Sequence, residues 1–371
     1  MIPYSRQWID EKDIGAVNKV LRSDLITQGR VVPEFERSIA RYCGAKYAVV
    51  VSNGTTALHL AYLAAGLKKG DEVITTPNTF AATSNMVLAV GAKPVFCDIR
   101  SDTWNINESK IERLITSKTK AVVPVHFAGH PCEMGEIYKV ARRHKLFVIE
   151  DACHALGARH KKSRIGDCRF SDMAVFSFHP VKTITTGEGG AILTNNKKLY
   201  EKILLLRNHG IKKDANGFNV MTELGYNYRM TDIQAALGLS QMKKLDKFLR
   251  DRIGVAERYD RVLADIPEIQ LPAKLPGNYS GWHIYVIHLK NAKLRQPLAE
   301  FLKRSGIGVN FHYPQVYSHP HYRQMGYRTR LKNADIHHAA CLTLPCYPGL
   351  GGSDIDRVAG LIKKFFLSKS L

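Results

Sequence analysis

The chain is predicted to adopt an α/β fold, with a mainly parallel central sheet, helices on both of its faces and a smaller C-terminal α+β domain. Three observations predict it. Short, nearly all-apolar runs such as Tyr47-Ala48-Val49-Val50-Val51 and Leu146-Phe147-Val148-Ile149 alternate with helix-period segments, as parallel strands buried on both faces do. The composition, 45% hydrophobic and 23% charged, is that of an ordinary globular protein. At 371 residues the chain is long for one core, and a Pro-rich stretch, Pro267–Pro276, precedes a change of pattern. The expected division is a large domain with its N-terminal segment, 1–250, and a small domain, 251–371.

Taken in order, residues 10–22 form an amphipathic helix with Ile14, Val17, Val20 and Leu21 on one face. The turn-like Asp24–Gly29 separates it from a second helix over Pro33–Tyr42. Lys46–Val51 is a strand, and Ser52-Asn53-Gly54-Thr55-Thr56 leads from it into a helix marked by Ala57, Leu58, Leu60, Ala61 and Leu63. Strands follow at Glu72–Thr75, Lys93–Asp98 and Ala121–Val125, with a helix over Ala81–Val90 between the first two. Helix Cys132–His144 leads to Leu146–Asp151. The Met173–Phe176 and Gly190–Thr194 strands flank a loop, and helix Lys197–Leu206 and an irregular Arg207–Asn219 come next. One long helix is expected from Thr231 or Asp232 through Arg250, since either residue is a good cap. The small domain then reads as strand Trp282–Leu289, helix Leu294–Ser305, strand Val309–His312 and helix Asp354–Leu367. No internal repeat or low-complexity segment is visible.

Composition also narrows the function. The formal charge of +21, from 54 Lys and Arg against 33 Asp and Glu, favours acidic partners such as nucleic acid, anionic lipid or phosphorylated small molecules. The basic residues are dispersed in pairs, without zinc-finger spacing or an RNA-binding aromatic motif, so a solvated basic surface and no nucleic-acid partner are expected. No run of about eighteen apolar residues and no N-terminal apolar leader are present, so neither membrane spanning nor secretion is expected. Seven scattered cysteines without a C-x-x-C pair argue for reduced thiols in a cytoplasm.

Four positions suggest chemistry. Lys182 lies on a short loop between two buried strands, amid Ser177, His179 and the glycines Gly187, Gly189 and Gly190. A lysine held in a partly dry pocket gives up its charge readily, as Schiff-base chemistry requires; the alternative is a solvated loop lysine. The Ser52–Thr56 loop points free N–H groups and a positive dipole end at an anion, although Ser, Asn and Thr are also ordinary caps. Asp151 emerges from a buried strand, where a carboxylate is costly unless it meets a cation. A protonated pyridine nitrogen would serve, as in pyridoxal phosphate (PLP); otherwise Asp151 is a plain helix cap. Phe80 could stack on such a ring or pack in the core. The order phosphate loop, aromatic, aspartate, lysine is best explained by the cofactor.

Several blocks then carry a resemblance. They are Pro3-Tyr4-Ser5, Thr27-Gln28-Gly29, Asn53–Leu58, Thr76-Pro77 with Phe80–Thr83, Glu150–Gly157, Phe176–Lys182, Gly187–Ala191 and Gly225–Met230. Nearly end to end, the chain resembles the fold-type-I, PLP-dependent aminotransferases of the DegT/DnrJ/StrS family, which act on nucleotide-linked keto-sugars. The resemblance implies Lys182 as the Schiff-base lysine and proton carrier, Asp151 on the pyridinium, and Phe80 on the ring face. It places the phosphate on Gly54, Thr55 and Ser177, and brings Asn227 to the phosphate region from a neighbouring subunit, which implies a homodimer with shared active sites. Arg229 is implied either as a residue supporting the site from behind its lining or as a substrate-carboxylate candidate. Many members have glutamine where His154 stands, contacting the cofactor's 3′-oxygen; a histidine there is similar to the pseudaminic acid subgroup. So are Phe178–Thr186, with His179, and Gly306–Pro314.

By that likeness the substrates are UDP-2-acetamido-2,6-dideoxy-β-L-arabino-hex-4-ulose and L-glutamate, with amination at C4. Tyr4, Asp24, Leu25, Ile26 and Thr27, together with His312, Tyr313, Pro314 and Gln315, would line the sugar-nucleotide side. The rivals are another nucleotide-linked keto-hexose as substrate and a DegT-like regulatory or nucleic-acid-binding protein. The family's dehydratase branch has histidine in place of the lysine, and Lys182 is present. A metal site on His319, His321, His337 and His338 lacks ligand spacing, so no metal is expected and these read as surface histidines.

Overall fold

The computed structural model describes residues 1–368 of the 371-residue chain. After α1 (Glu11–Leu21) and α2 (Val31–Cys43), the chain alternates β1 (Tyr47–Val51), α3 (Gly54–Ala64), β2 (Glu72–Thr75), α4 (Ala82–Ala89), β3 (Lys93–Phe96), β4 (Thr119–Val123), α5 (Met134–Arg143) and β5 (Phe147–Asp151). Two short pairs of residues, β6 (Arg159–His160) and β7 (Ser163–Arg164), precede β8 (Met173–Ser177), β9 (Gly190–Thr194) and α6 (Lys197–Arg207).

The seven-stranded sheet has the order β1-β9-β8-β5-β4-β2-β3. The β3, β2, β4, β5 and β8 neighbours are parallel, while β9 runs against both β8 and β1. The sheet is therefore mainly parallel, with one reversed strand. Its strands are nearly all buried, because helices cover both faces: one cluster joins β-strand residues Val49, Val73 and Ile192 to α3, and another joins Val50, Phe176 and Leu193 to α2. In this arrangement the carboxyl ends of β1, β2, β5 and β8 lie along one edge, where ligands of open α/β sheets collect.

The segment expected to be irregular, 207–219, is partly ordered as the hairpin β10 (Ile211–Lys213) and β11 (Asn219–Met221). The single long helix is in fact two, α7 (Asp232–Met242) and α8 (Leu245–Val262). At the break, Lys244 Nζ reaches Asp10 and Asp13 at the start of α1, 2.7 Å from each. Thr231 caps α7 through a reciprocal bond with Gln234.

The C-terminal part contains β12 (Ile269–Gln270), β13 (Asn278–Tyr279), β14 (Tyr285–Leu289), α9 (Arg295–Arg304), α10 (Pro320–Gln324), α11 (Lys332–Ala340), β15 (Cys341–Leu344) and α12 (Gly352–Leu367). The antiparallel sheet β12-β14-β15 packs with α9 and α12, and Ile2 joins that core. The expected 250/251 division falls inside α8: Phe248 and Leu249 belong to the core under the large sheet, whereas Val255, Ala256 and Tyr259 belong to the small one. The strand expected at Val309–His312 does not form. Only Asn310 bridges to Thr343, and Phe311–Tyr313 turn away to build a cleft wall.

Candidate active site

A cleft of about 830 Å³ opens at the carboxyl edge of the sheet. Lys182, in the loop between β8 and β9, projects into it, and its backbone N–H donates to His179 O at 2.9 Å. Among the described residues nothing is hydrogen-bonded to its amine. Burial lowers its pKa below the usual lysine value; Cys153 and Asp151 oppose the shift and the charge of Arg252 adds to it. The amine is thereby eased toward its uncharged, nucleophilic form.

Asp151 ends β5 and is buried. Its carboxylate accepts from Thr83 Oγ1 at 2.7 Å and from the Cys153 N–H at 3.2 Å, which leaves lone pairs for a cation in the cleft. Glu150, one residue earlier, faces the opposite side of the sheet. His126 accepts from the Cys132 N–H through Nδ1, so Nε2 bears the proton and donates to Glu150 at 2.8 Å. Ser171 Oγ donates to the other oxygen. The acidic end of β5 is thus fixed from beneath.

The anion end of the cleft is equally specific. Asn53 caps α3 with a reciprocal bond to Thr56, and the N–H groups of Gly54 and Thr55 have no acceptor among the described residues. A Cβ on Gly54 would come within 2.9 Å of Ser177 Cβ, so only glycine lets the helix start lie this close to the Ser177 hydroxyl. Gly190 has a related role: a Cβ there would stand 2.5 Å from Asn53 O. The reversed β9 locks the capping loop in place.

His154 is buried, bonded through Nε2 to Tyr313 OH at 3.1 Å, and its Nδ1 has no partner. Burial, then the charges of Lys182 and other histidines, holds its pKa well below the usual value. His283 lies against it with ring centroids 4.3 Å apart, its own Nδ1 also unpartnered. Phe80 is 64% exposed at the cleft, which rules out core packing.

Of the residues singled out from sequence, Tyr4, Gly54, Thr55, Phe80, Asp151, His154, Ser177, His179, Lys182, His312, Tyr313 and Pro314 all line this cleft. Others do not. Asp24, Leu25, Ile26 and Thr27 form an exposed turn outside the cleft, where Ile26 O accepts from the Asp232 N–H. Asn227 is exposed and pairs with Asn208, and Arg229 is turned toward Asn208 Oδ1 at 2.6 Å. Gln315 is buried behind the wall, donating to Asp335 at 2.8 Å. None of these seven reaches the cleft of its own chain. Thr83, Cys153, His283 and Glu188 line the cleft or bond Asp151 and were not anticipated. Thr83 stood within reach, because a buried aspartate needs a donor and Phe80–Thr83 was already singled out.

The expectation of four surface histidines fails at His337, which is 1% exposed. Its Nε2 donates to His312 O at 2.8 Å, so its Nδ1 accepts from His288 Nε2 at 2.7 Å, and Trp104 stacks on His288. Among the described residues no group of three or more His, Cys, Asp or Glu is placed to hold a metal ion. Burial drives His288 and His312 down to about 3, and His154, His283 and His337 in the same direction. The unfolded chain takes up protons on these groups near 6.5 while the fold does not. Their stabilisation is therefore complete above about pH 6.5 and lost as pH falls toward 3. Urea unfolding at about pH 5.5 should show a loss on the order of 1 kcal/mol for each such histidine relative to about pH 7.5. Identical midpoints at the two pH values would contradict the neutral, buried assignment.

The geometry of one lysine, one buried aspartate and a free helix start agrees with the comparisons to known proteins. The sequence model of the DegT/DnrJ/EryC1/StrS aminotransferase family matches residues 7–363. The chain belongs to that family. Like it in sequence is the UDP-4-amino-4,6-dideoxy-N-acetyl-β-L-altrosamine transaminase of Campylobacter jejuni, 42% identical over 359 residues, covering 95% of this chain and 94% of the relative. Among solved structures, Helicobacter pylori PseC, an aminotransferase involved in pseudaminic acid biosynthesis, superposes with a TM-score of 0.95 at 35% identity over 99% of each chain. The PLP form of Spr1654 from Streptococcus pneumoniae superposes at 0.93 and 29% identity, covering 98% of each chain. This DegT/DnrJ/EryC1/StrS protein is an aminotransferase, and its fold class is that of the PLP-dependent members. Among the described residues no helix is long and apolar enough to cross a membrane.

Proposed function

We propose that the protein transfers the amino group of L-glutamate to C4 of UDP-2-acetamido-2,6-dideoxy-β-L-arabino-hex-4-ulose, giving UDP-4-amino-4,6-dideoxy-N-acetyl-β-L-altrosamine and 2-oxoglutarate. The observation that carries it is the convergence of Lys182, Asp151 and the α3 N-terminus on one cleft, in a chain 42% identical to a transaminase of that name.

The residues present fit PLP. Its phosphate suits the free N–H groups of Gly54 and Thr55 with the Ser177 hydroxyl, its ring nitrogen suits the unshared lone pairs of Asp151, and the neutral His154 offers an unpartnered Nδ1. When bound, the cofactor supplies a carbonyl for condensation with amines and an electron sink for the carbanion left by a departing proton. Lys182 then serves as the single base. It takes the α-proton of glutamate in the first half of the reaction and delivers a proton to C4 of the sugar in the second. Asp151 holds the positive charge that makes the sink effective. Phe80 shields one face of the cleft from water, and Tyr4, His312 and Tyr313 form the wall facing the sugar. The excess positive charge, +21, draws the UDP diphosphate toward the mouth.

A homodimer with shared sites is part of this proposal, in a cytoplasmic setting. Leu25, Ile26, Phe218, Met221 and Leu224 are exposed, and the exposed Asn227 does not reach its own cleft, which supports donation to a neighbour. Mixing Lys182→Ala and Asn227→Ala proteins should restore turnover that neither has alone, up to about one quarter of wild type for a statistical mixture of two-fold dimers. No recovery after verified subunit exchange would count against shared sites. A panel of nucleotide-4-ketosugars, read by product mass and NMR, tests the substrate: selective amination of a different hexose would replace the one named here.

A further inference from the structure

Arg252, in the first half of α8, is completely buried; its guanidinium donates to backbone carbonyls and lies against the Cys346 thiol. Nη1 donates to His283 O and Cys346 O, both at 2.8 Å, and to Trp282 O at 3.3 Å; Nη2 donates to Val181 O at 3.4 Å. Among the described residues no carboxylate pairs with it, and Nε has no partner. A buried cation without a counter-ion is costly. The same helix packs elsewhere through Phe248, Leu249, Val255 and Ala256, so burial alone does not call for an arginine at this position.

What the fork gathers is informative. Val181 is the residue before Lys182. His283 lines the cleft, and Cys346 donates its N–H to Tyr4 O at 3.0 Å, in the segment carrying another cleft residue. Ser5 Oγ adds a second bond to Val181 O, also at 3.4 Å. A planar five-donor group is the side chain able to join carbonyls from such separate segments at once.

We propose that Arg252 is a positioning residue for Lys182: by binding the carbonyls of Val181, His283 and Cys346 together it fixes the stem of the lysine loop against the opposite wall of the cleft. The proposal rests on Lys182 being the reactive amine. The groups whose charges act on that amine are Cys153, Asp151, His154, His283, His312 and Arg252, and the phenols of Tyr4 and Tyr313 line the same cleft. Burial is the largest cause of the lowered lysine pKa, and Arg252 is the cation that adds to it.

The test compares wild type, Arg252→Lys and Arg252→Met. In cofactor-free protein, acetylation of Lys182 by acetic anhydride is followed against pH by mass spectrometry; in reconstituted enzyme, kcat and KM are measured. Arg252→Lys loses the fork and, buried without a counter-ion, gives up its charge readily, so kcat is expected to fall about 10²-fold with KM little changed and the pH midpoint to move to higher pH. Arg252→Met loses both, so its midpoint should also move to higher pH. Wild-type kcat in Arg252→Lys, or an unmoved midpoint in a folded Arg252→Met, overturns the proposal; if the methionine variant does not fold, the lysine variant decides. Borohydride reduction of wild-type holoenzyme keeps the two ideas apart. A phosphopyridoxyl group found on another lysine sinks the Lys182 assignment, whatever the Arg252 variants do.

Discussion

Lys182→Ala protein is expected to fold and to transaminate about 10⁴-fold more slowly than wild type, or not at all. The side chain makes no hydrogen bond with the described residues, so its removal costs the fold little. Its chemistry, in contrast, has no substitute nearby. Cys153 is the adjacent nucleophile, and burial pushes its thiol well above the usual range, where it does not ionise at neutral pH. His154, His283 and His312 are neutral but fixed in the wall. Lys182→Arg should be nearly as inactive, because a guanidinium does not give up its proton in this range. Single-turnover assays with glutamate and with the UDP-keto-sugar check both half-reactions, and the yellow colour of the wild-type holoenzyme should be altered in both variants. Turnover by either one at a rate near wild type would show that another base carries the proton.

Asp151→Asn should lose about 10²- to 10³-fold in kcat, the range for removing one preorganised electrostatic partner. The change is nearly isosteric. The amide oxygen can keep the Cys153 N–H, while the new NH2 faces Thr83 Oγ1, whose hydroxyl can accept from it and donate to Phe80 O at 3.3 Å instead, so thermal unfolding should move little while the negative charge disappears from the cleft floor. Asp151→Glu is expected to retain part of the activity by preserving charge at a displaced position. If Asp151→Asn binds PLP and turns over like wild type, the carboxylate is structural and its place at the end of β5 has another cause.

The residues that were legible in sequence are those whose signal is local. Apolar runs of four or five residues announce a parallel strand, and Asp151 and Ser177 stand where such runs stop. Gly54 and Thr55 follow a strand and open a helix, so their position at a helix start could be read from order alone. The resemblance to a known family extended this to His154, Tyr4 and His312–Pro314. What escaped depends on contacts between distant segments. The reversal of β9 has no mark in Gly190–Thr194, which is as apolar as its parallel neighbours. His283 sits at the edge of a run that reads simply as a strand. Arg252 looks like any charged residue of a long helix until the carbonyls of three separate segments are found around it. The turn at 24–27, Asn227 and Arg229 carry no local sign of whether they serve their own cleft or another chain's.

The helix α8 has a further meaning. Its first turns are part of one core and its later turns part of the other, so the two regions share a rigid rod where a multidomain enzyme would carry a flexible linker. Such a continuous helix resists a wide hinge motion between the two cores, so discrimination among sugar nucleotides is expected to rest mainly on fit to the opening as it stands, and a change in preference is to be sought in the side chains at that opening, Tyr4, His312 and Tyr313 among them.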